Sequence, residues 1–319
     1  MMSPKINHDA HKHVRPFSRL MKALLCTMLV LVAGASWAQG KTSSKEKMVA
    51  KDPLARTTIE PGATKLFELD RANFDRSENI DHPYWPLKPG MQWIYEGYSI
   101  DEGKKIPHRI VFTVTDMVKV IGGVRTRVIY DSDFTKGQIN EKELTYFAQD
   151  KQGNVWHLGQ YVEIYEDQFM GGRIWTVDNP PGAKAGIMMP RVEDLKLGAL
   201  SFSQGYAPSP FNWTDRGRVF QLGQKVKVKA GSFDDVIVFE EFDEEHPGAV
   251  QLKYYARGVG NVKIGAAGKS GGKVEELELV KTHQLNATDL AEVRKLAIDL
   301  EKRASAFPAN PPMEVVPLK

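Results

Sequence analysis

The stretch Asp131, Asp133, Thr135, Gly137, Glu141 and Glu143 sets oxygen-bearing side chains at alternate positions, the pattern by which a calcium loop offers its ligands. Gly137 lies one place late for an EF-hand, and the flanking residues read as strands. The stretch is therefore expected to be a solvated connection between two strands. Glu240, Glu241, Asp243, Glu244 and Glu245 form a second acidic group ending in His246-Pro247-Gly248. Neighbours on a strand point to opposite faces, so this reads as a turn rather than a metal site. Gly265-Ala-Ala-Gly268-Lys269-Ser270 superficially resembles a phosphate loop. Lys263 stands where that loop needs glycine and a strand follows where it needs a helix, so a glycine-rich hairpin turn is expected.

Five histidines remain once the N-terminal leader is set aside: His82, His108, His157, His246 and His283. None is spaced to share a helix face with another, no His-Glu-x-x-His occurs, and no Gly-x-Ser-x-Gly elbow is present. These patterns give no assigned catalytic residue, no metal site and no cofactor. The residues that could meet a ligand are Trp156, His157, Tyr161, Tyr165, Met188 and Met189, aromatic or polarizable groups able to fill a core and line a pocket edge. His157, with Glu163 and Tyr165 downstream, is also the place where an acid and histidine, or a metal, would be sought if the protein were a hydrolase. A hydrogen-bonded structural histidine is the competing reading.

The elements that must position these residues are strands. Hydrophobic side chains recur with a period of two from Met91 onward. Ile110, Phe112 and Val114 alternate with Arg109, Val111 and Thr113, and Gly122-Gly123 turns the chain into Val124 to Asp131. Tyr146 to Tyr161 reads as a hairpin at the centre of the chain, with Asp150, Gly153 and Asn154 at its turn. From Gln168 to Thr214 the sequence is irregular and rich in glycine, proline and methionine. Such a segment serves as a binding loop or lid, or as a crossover covering one end of a barrel. Lys225, Lys227 and Lys229 alternate with Val226, Val228 and Ala230, a sheet with one wet face. Asn286 or Thr288 can cap a final helix whose stripe is Leu290, Val293, Leu296, Ala297 and Leu300.

The first residues carry Lys12, Arg15, Arg19 and Lys22, an apolar run from Ala23 to Ala33, and Ser36-Trp37-Ala38. This reads as a secretory signal too short to span a bilayer, with Met21 a possible alternative start. The sole cysteine, Cys26, lies inside it. The chain beyond it must then rest on a hydrophobic core rather than on disulfides. The whole-chain charge of +3 includes a surplus of four in this leader, leaving the remainder at −1. A nearly neutral, mixed-charge body offers no electrostatic case for nucleic acid.

Trp85-Pro-Leu-Lys-Pro-Gly90-Met-Gln-Trp93, His108-Arg-Ile-Val-Phe-Thr-Val-Thr-Asp116, Phe147-Ala-Gln-Asp150, Gly153-Asn-Val-Trp-His-Leu-Gly-Gln160, Gly186-Ile-Met-Met-Pro190 and Leu252-Lys-Tyr-Tyr-Ala-Arg-Gly-Val-Gly-Asn261 together resemble a family of bacterial secreted or periplasmic β-rich proteins. The likeness spans Tyr84 to Arg303. It carries no established activity, ligand or catalytic residue. By architecture the fold is similar to curved-sheet periplasmic proteins that hold lipids or other apolar ligands.

The sequence thus predicts a mainly β protein, an antiparallel curved sheet or incomplete barrel with one C-terminal helix. Its expected parts are a signal peptide (1–38), an N-terminal arm (39–80), the β domain (81–285), the packed helix (286–304) and an extended tail (305–319). Exported to the periplasm or beyond, it would bind an apolar small molecule, lipid or envelope component without catalysis, and would have no integral membrane span once processed. The alternatives are a hydrolase centred near His157 and a structural envelope protein that binds another protein.

Overall fold

A computed structural model describes residues 67–101, 103–209, 211–267, 274–305 and 313–315. The signal segment, most of the arm, the Gly268–Ser270 turn and most of the tail lie outside the described residues.

Alternating side chains fold into antiparallel strands in chain order: β1 (Met91–Asp101), β2 (Lys104–Ile121), β3 (Val124–Thr135), β4 (Gln138–Gln149), β5 (Val155–Tyr165), β6 (Phe169–Thr176), β7 (Gly186–Met189), β8 (Phe202–Ser203), β9 (Arg216–Val228), β10 (Gly231–Phe242), β11 (Val250–Ala256), β12 (Gly260–Ala267), β13 (Val274–Gln284) and β14 (Met313–Val315). They form one sheet in the order β6-β5-β4-β3-β2-β1-β13-β12-β11-β10-β9-β8, with β7 added to β5 and β14 to β2. The sheet is not closed, and one helix, α1 (Ala287–Ala304), follows it, the fold class expected from the sequence.

Two expected hairpins form. Gly122 and Gly123, at φ of 55° and 81°, make the tight turn between β2 and β3, a conformation that costs glycine nothing. In the β4–β5 turn Asp150 Oδ1 accepts from the backbone N–H groups of Gln152 and Asn154, both at 2.9 Å. Its Oδ2 accepts from Asn154 Nδ2 and Trp156 Nε1, both at 2.8 Å. The irregular segment after β6 bridges the two ends of the sheet: β7 pairs with β5, β8 with β9, and Lys184 bridges to Tyr206.

The acidic stretch from Asp131 to Glu143 corrects the sequence reading. It lies within β3 and β4, with only Lys136 and Gly137 between them, and Asp131 and Glu143 are half-buried against the concave face. The preference of acids for loops loses here to strand pairing dictated by the apolar residues on either side.

Helix α1 starts where Asn286 Oδ1 accepts the Asp289 N–H at 2.9 Å, and it lies against β2 and β4. Leu290, Ala297, Leu300 and Ala304 are buried, whereas Leu296, expected on the apolar stripe, is half-exposed and Glu301 is buried in its stead. Ion pairs fasten the helix: Arg294 to Asp116, Lys119 to Glu301 and Arg303 to Glu163. Tyr146 Oη also donates to Glu301, at 3.1 Å.

Candidate functional site

Register carries chemistry onto the concave face. Trp93 on β1 lies opposite Phe112 on β2, Phe112 opposite Asp131 on β3, Asp131 opposite Glu143 on β4, Glu143 opposite Val162 on β5, and Val162 opposite Arg173 on β6. The next row runs from Tyr95 through Ile110 and Asp133 to Glu141. Four carboxylates thus form a two-by-two block on neighbouring strands. Like charges directly opposite each other weaken a sheet, so the block has a cost that packing does not explain.

Behind this block is a cavity of about 350 Å³. Trp85, Trp93, Tyr95, Phe147, Trp213 and Tyr255 supply aromatic wall; Asp131, Glu143, Asp215 and Glu241 supply carboxylates; Lys253 supplies the cation. Several aromatic groups are held rigidly. Trp93 Nε1 donates to Val259 O at 2.8 Å, Tyr95 Oη donates to Asn261 O at 2.9 Å, and Trp85 meets Phe147 edge-on with ring centres 4.8 Å apart. The buried Trp213 Nε1 has no hydrogen-bond partner among the described residues.

The carboxyls are tuned by enclosure and by one another. Burial, reinforced by Glu141, lifts Glu143 to about 8, against the opposing pull of Thr145 and Arg173. Burial, with Glu241 and Asp243 nearby, lifts Asp215 to about 7. Asp131 rises for the same primary reason, with Glu143 and Asp133 adding to it. Groups poised near neutrality in a concave site are characteristic of functional sites.

The residues singled out from the sequence divide between the two faces of the sheet. Leu158 is an extra residue in β5: Phe147 pairs with His157 while Tyr146 pairs with Gly159. This bulge reverses the alternation. His157 consequently lines the cavity with Met188. Tyr161 and Tyr165 face the helix side, where both hydroxyls donate to Glu163, which also pairs with Arg303. Trp156 packs edge-on against Phe67 and Phe74, and Met189 is fully buried in the core. His157 Nδ1 lies 2.9 Å from Gln204 O and Nε2 lies 3.1 Å from Gly159 O. Burial lowers its pKa to about 4 although both carbonyls favour the cation. With both ring nitrogens lying against backbone carbonyl oxygens, His157 offers no free base to the cavity, and Glu163 lies across the sheet from it.

From the sequence the acids of β3, β4 and β10 read as a strand connection and a turn, and none of the wall aromatics is assigned to the site. The signal was present in Asp131, Asp133, Glu141 and Glu143, acids at alternate positions where a concave face would otherwise be apolar. Asp215, just before β9, and Lys253 on β11 had no local signal, and Glu241, read from the sequence as part of an acidic turn, lies within β10. Among the described residues no helix is long and apolar enough to cross a membrane.

No family model and no curated protein matches the chain. Solved structures similar to it include two bacterial proteins. A presumed exported protein with a YmcC-like fold from Bacteroides fragilis NCTC 9343 is 13% identical with a TM-score of 0.37, covering 63% of this chain and 99% of its own. A presumed lipoprotein from Parabacteroides distasonis ATCC 8503 is 10% identical with a TM-score of 0.34, again over 63% and 99%. Likeness at this level carries no argument about ligand or activity.

Proposed function

We propose that this is an exported, non-catalytic binding protein whose ligand is a small amphipathic cation, its apolar body among the tryptophans and its positive group beside the carboxylates. The observation that carries the reading is the composition of the cavity wall. Asp131, Glu143, Asp215 and Glu241 line, together with Lys253, a space bounded by Trp85, Trp93, Trp213 and Tyr255. Aromatic faces and carboxylates both favour a cation, and an organic ammonium can use both at once. A volume of about 350 Å³ suits a small organic molecule. Export rests on the leader read from the sequence.

Binding is favoured over hydrolysis because both His157 nitrogens lie against backbone carbonyls and Glu163 is committed to Arg303. The protein-binding alternative keeps one observation: Phe169 and Met170 are exposed on β6, at an edge of the sheet.

The test is a matched trio of aromatic ligands, one a quaternary ammonium, one its neutral isostere and one a carboxylate, titrated at pH 8 with tryptophan fluorescence as readout. The ammonium compound is expected to bind at least about tenfold tighter than the neutral one, worth about 1.4 kcal/mol, and Glu143→Gln should erase most of that preference. Equal affinity for the neutral compound, or preference for the anion, would overturn the cationic assignment.

A further inference from the structure

His108, Asp133 and Glu275 meet near one end of the concave face from three different strands. His108 on β2 lies opposite Gly97 of β1, and Glu275 on β13 lies opposite Ser99 of the same strand. A side chain at position 97 would collide with the β13 backbone, its Cβ falling 1.9 Å from Glu276 O. Glycine there lets β13 approach and brings Glu275 toward His108 across the intervening strand. Asp133 is supplied by the next strand on the other side.

His108 Nε2 stands 3.2 Å from Asp133 Oδ2 and 3.1 Å from Glu275 Oε1. The imidazole is fully buried. Despite those distances neither oxygen lies in hydrogen-bonding geometry to Nε2, and Asp133 Oδ1 is buried without a hydrogen-bond partner. Two carboxylate oxygens therefore straddle the axis of Nε2, along which an ion or a proton would sit, rather than lying on it. Ligands held at about 2.1 Å by one metal ion are separated by about 3.0 Å in octahedral geometry and about 3.4 Å in tetrahedral geometry, which brackets these separations. Thr135 Oγ1, 3.4 Å from Nδ1, is placed to accept that nitrogen's proton and leave Nε2 as the donor atom, the arrangement that orients metal-bound histidines. Gln251 Nε2 donates to the other oxygen of Glu275 at 3.0 Å, fixing that carboxylate.

We propose that His108 Nε2, Asp133 Oδ2 and Glu275 Oε1 form a binding site for a divalent transition-metal ion of the zinc kind. One imidazole and two carboxylates suit zinc or its neighbours better than calcium, which takes six to eight oxygens. Glu275 also lines a hollow of about 300 Å³ that shares Asp215, Glu241 and Gln251 with the ligand cavity, which gives the ion a route to solvent. The competing occupant is a proton. Burial opposes the imidazolium, yet the two carboxylates more than reverse this and raise His108 to about 9. The site stands independently of the ligand proposed for the cavity.

The experiment is a competition titration at pH 7 of the chelator-stripped mature protein with Zn²⁺ or Ca²⁺ against a chromophoric chelator, with thermal melts alongside. One equivalent of Zn²⁺ is expected to bind and raise the melting temperature, with Ca²⁺ at least about tenfold weaker. His108→Gln should weaken Zn²⁺ binding by about 100-fold and remove the metal-dependent shift, while Glu143→Gln, outside the three ligands, retains both. X-ray absorption of the zinc-loaded protein should show nitrogen and oxygen neighbours and no sulfur. Should His108→Gln unfold the protein, Glu275→Gln serves in its place with the same expectation. Absence of stoichiometric Zn²⁺ binding by the wild type overturns the proposal. So does retention of binding by a folded His108→Gln or Glu275→Gln variant, which would place the ion elsewhere, as at the exposed His246–Asp243 pair.

Discussion

Arg303→Ala is expected to lower stability by about 2–3 kcal/mol, with a melting temperature roughly 5–10 °C below wild type. The Glu163 side chain is fully buried and accepts Arg303 Nε at 2.6 Å and Nη2 at 2.9 Å, together with the Tyr161 and Tyr165 hydroxyls. Without the guanidinium, a buried carboxylate keeps only the two hydroxyls. Breaking a buried pair costs about 3–5 kcal/mol, and the figure is discounted here because Arg303 itself is half-exposed. Burial works to raise the Glu163 pKa, but Arg303 and the two tyrosines outweigh it and hold the group below its ordinary 4.5. Stability from a lowered carboxyl is present above the unfolded pKa and lost as pH falls through the folded one. The deficit in Arg303→Ala should therefore shrink below pH 4.5. Thermal melts at pH 7 and pH 3.5 check this; a variant as stable as wild type at pH 7 would mean that the Arg303–Glu163 pair does not hold α1.

The cavity carboxyls should behave in the opposite sense. Glu143 moves from an ordinary 4.5 to about 8, and Asp215 from 3.8 to about 7. The folded state thus holds protons that the unfolded chain releases. Stability should fall as pH rises from about 4.5 toward 8 for Glu143, and over the corresponding window for Asp215, then level off. Glu143→Gln and Asp215→Asn each remove that penalty. Both should be more stable than wild type at pH 8, by on the order of 2 kcal/mol once water in the cavity is allowed for, and nearly equal to it at pH 4. The same variants should lose affinity for a cationic ligand. A gain in stability coupled to a loss of binding is the signature of groups retained for function rather than for folding. Denaturant melts from pH 4 to pH 8 decide it; a wild-type curve that is flat over this range, or variants weaker than wild type at pH 8, would count against the electrostatic account.

Much of the fold was legible because strand alternation and turn chemistry are local. Gly122-Gly123, the Asp150 turn and the Asn286 cap each announce an element through a few neighbouring residues. The hairpin at Trp156 and His157 was also legible, but its facing was not. One extra residue, Leu158, sends His157 to the cavity and Tyr161, Glu163 and Tyr165 to the helix, and pairing register is set by partners on β4 rather than by the β5 sequence. Leu296 was misplaced on the buried stripe because Glu301, polar by type, is buried against Lys119 and Tyr146. The acids of β3 and β4 were visible as an alternating series, yet their meaning depended on which face became concave. Asp215, Glu241 and Lys253 join them only through a sheet order that brings β9 to β11 round toward β1 to β4.

A small organic cation held in the concave cavity should be seen most directly in a native mass spectrum of the mature protein purified from its own host. Spectra before and after mild organic extraction should show one bound mass of a size the cavity can hold, removed by extraction and recovered as a positively charged compound with an apolar portion. That mass should be depleted in Glu143→Gln. A bare protein mass in every preparation, or a bound species that is neutral or anionic, would contradict the account.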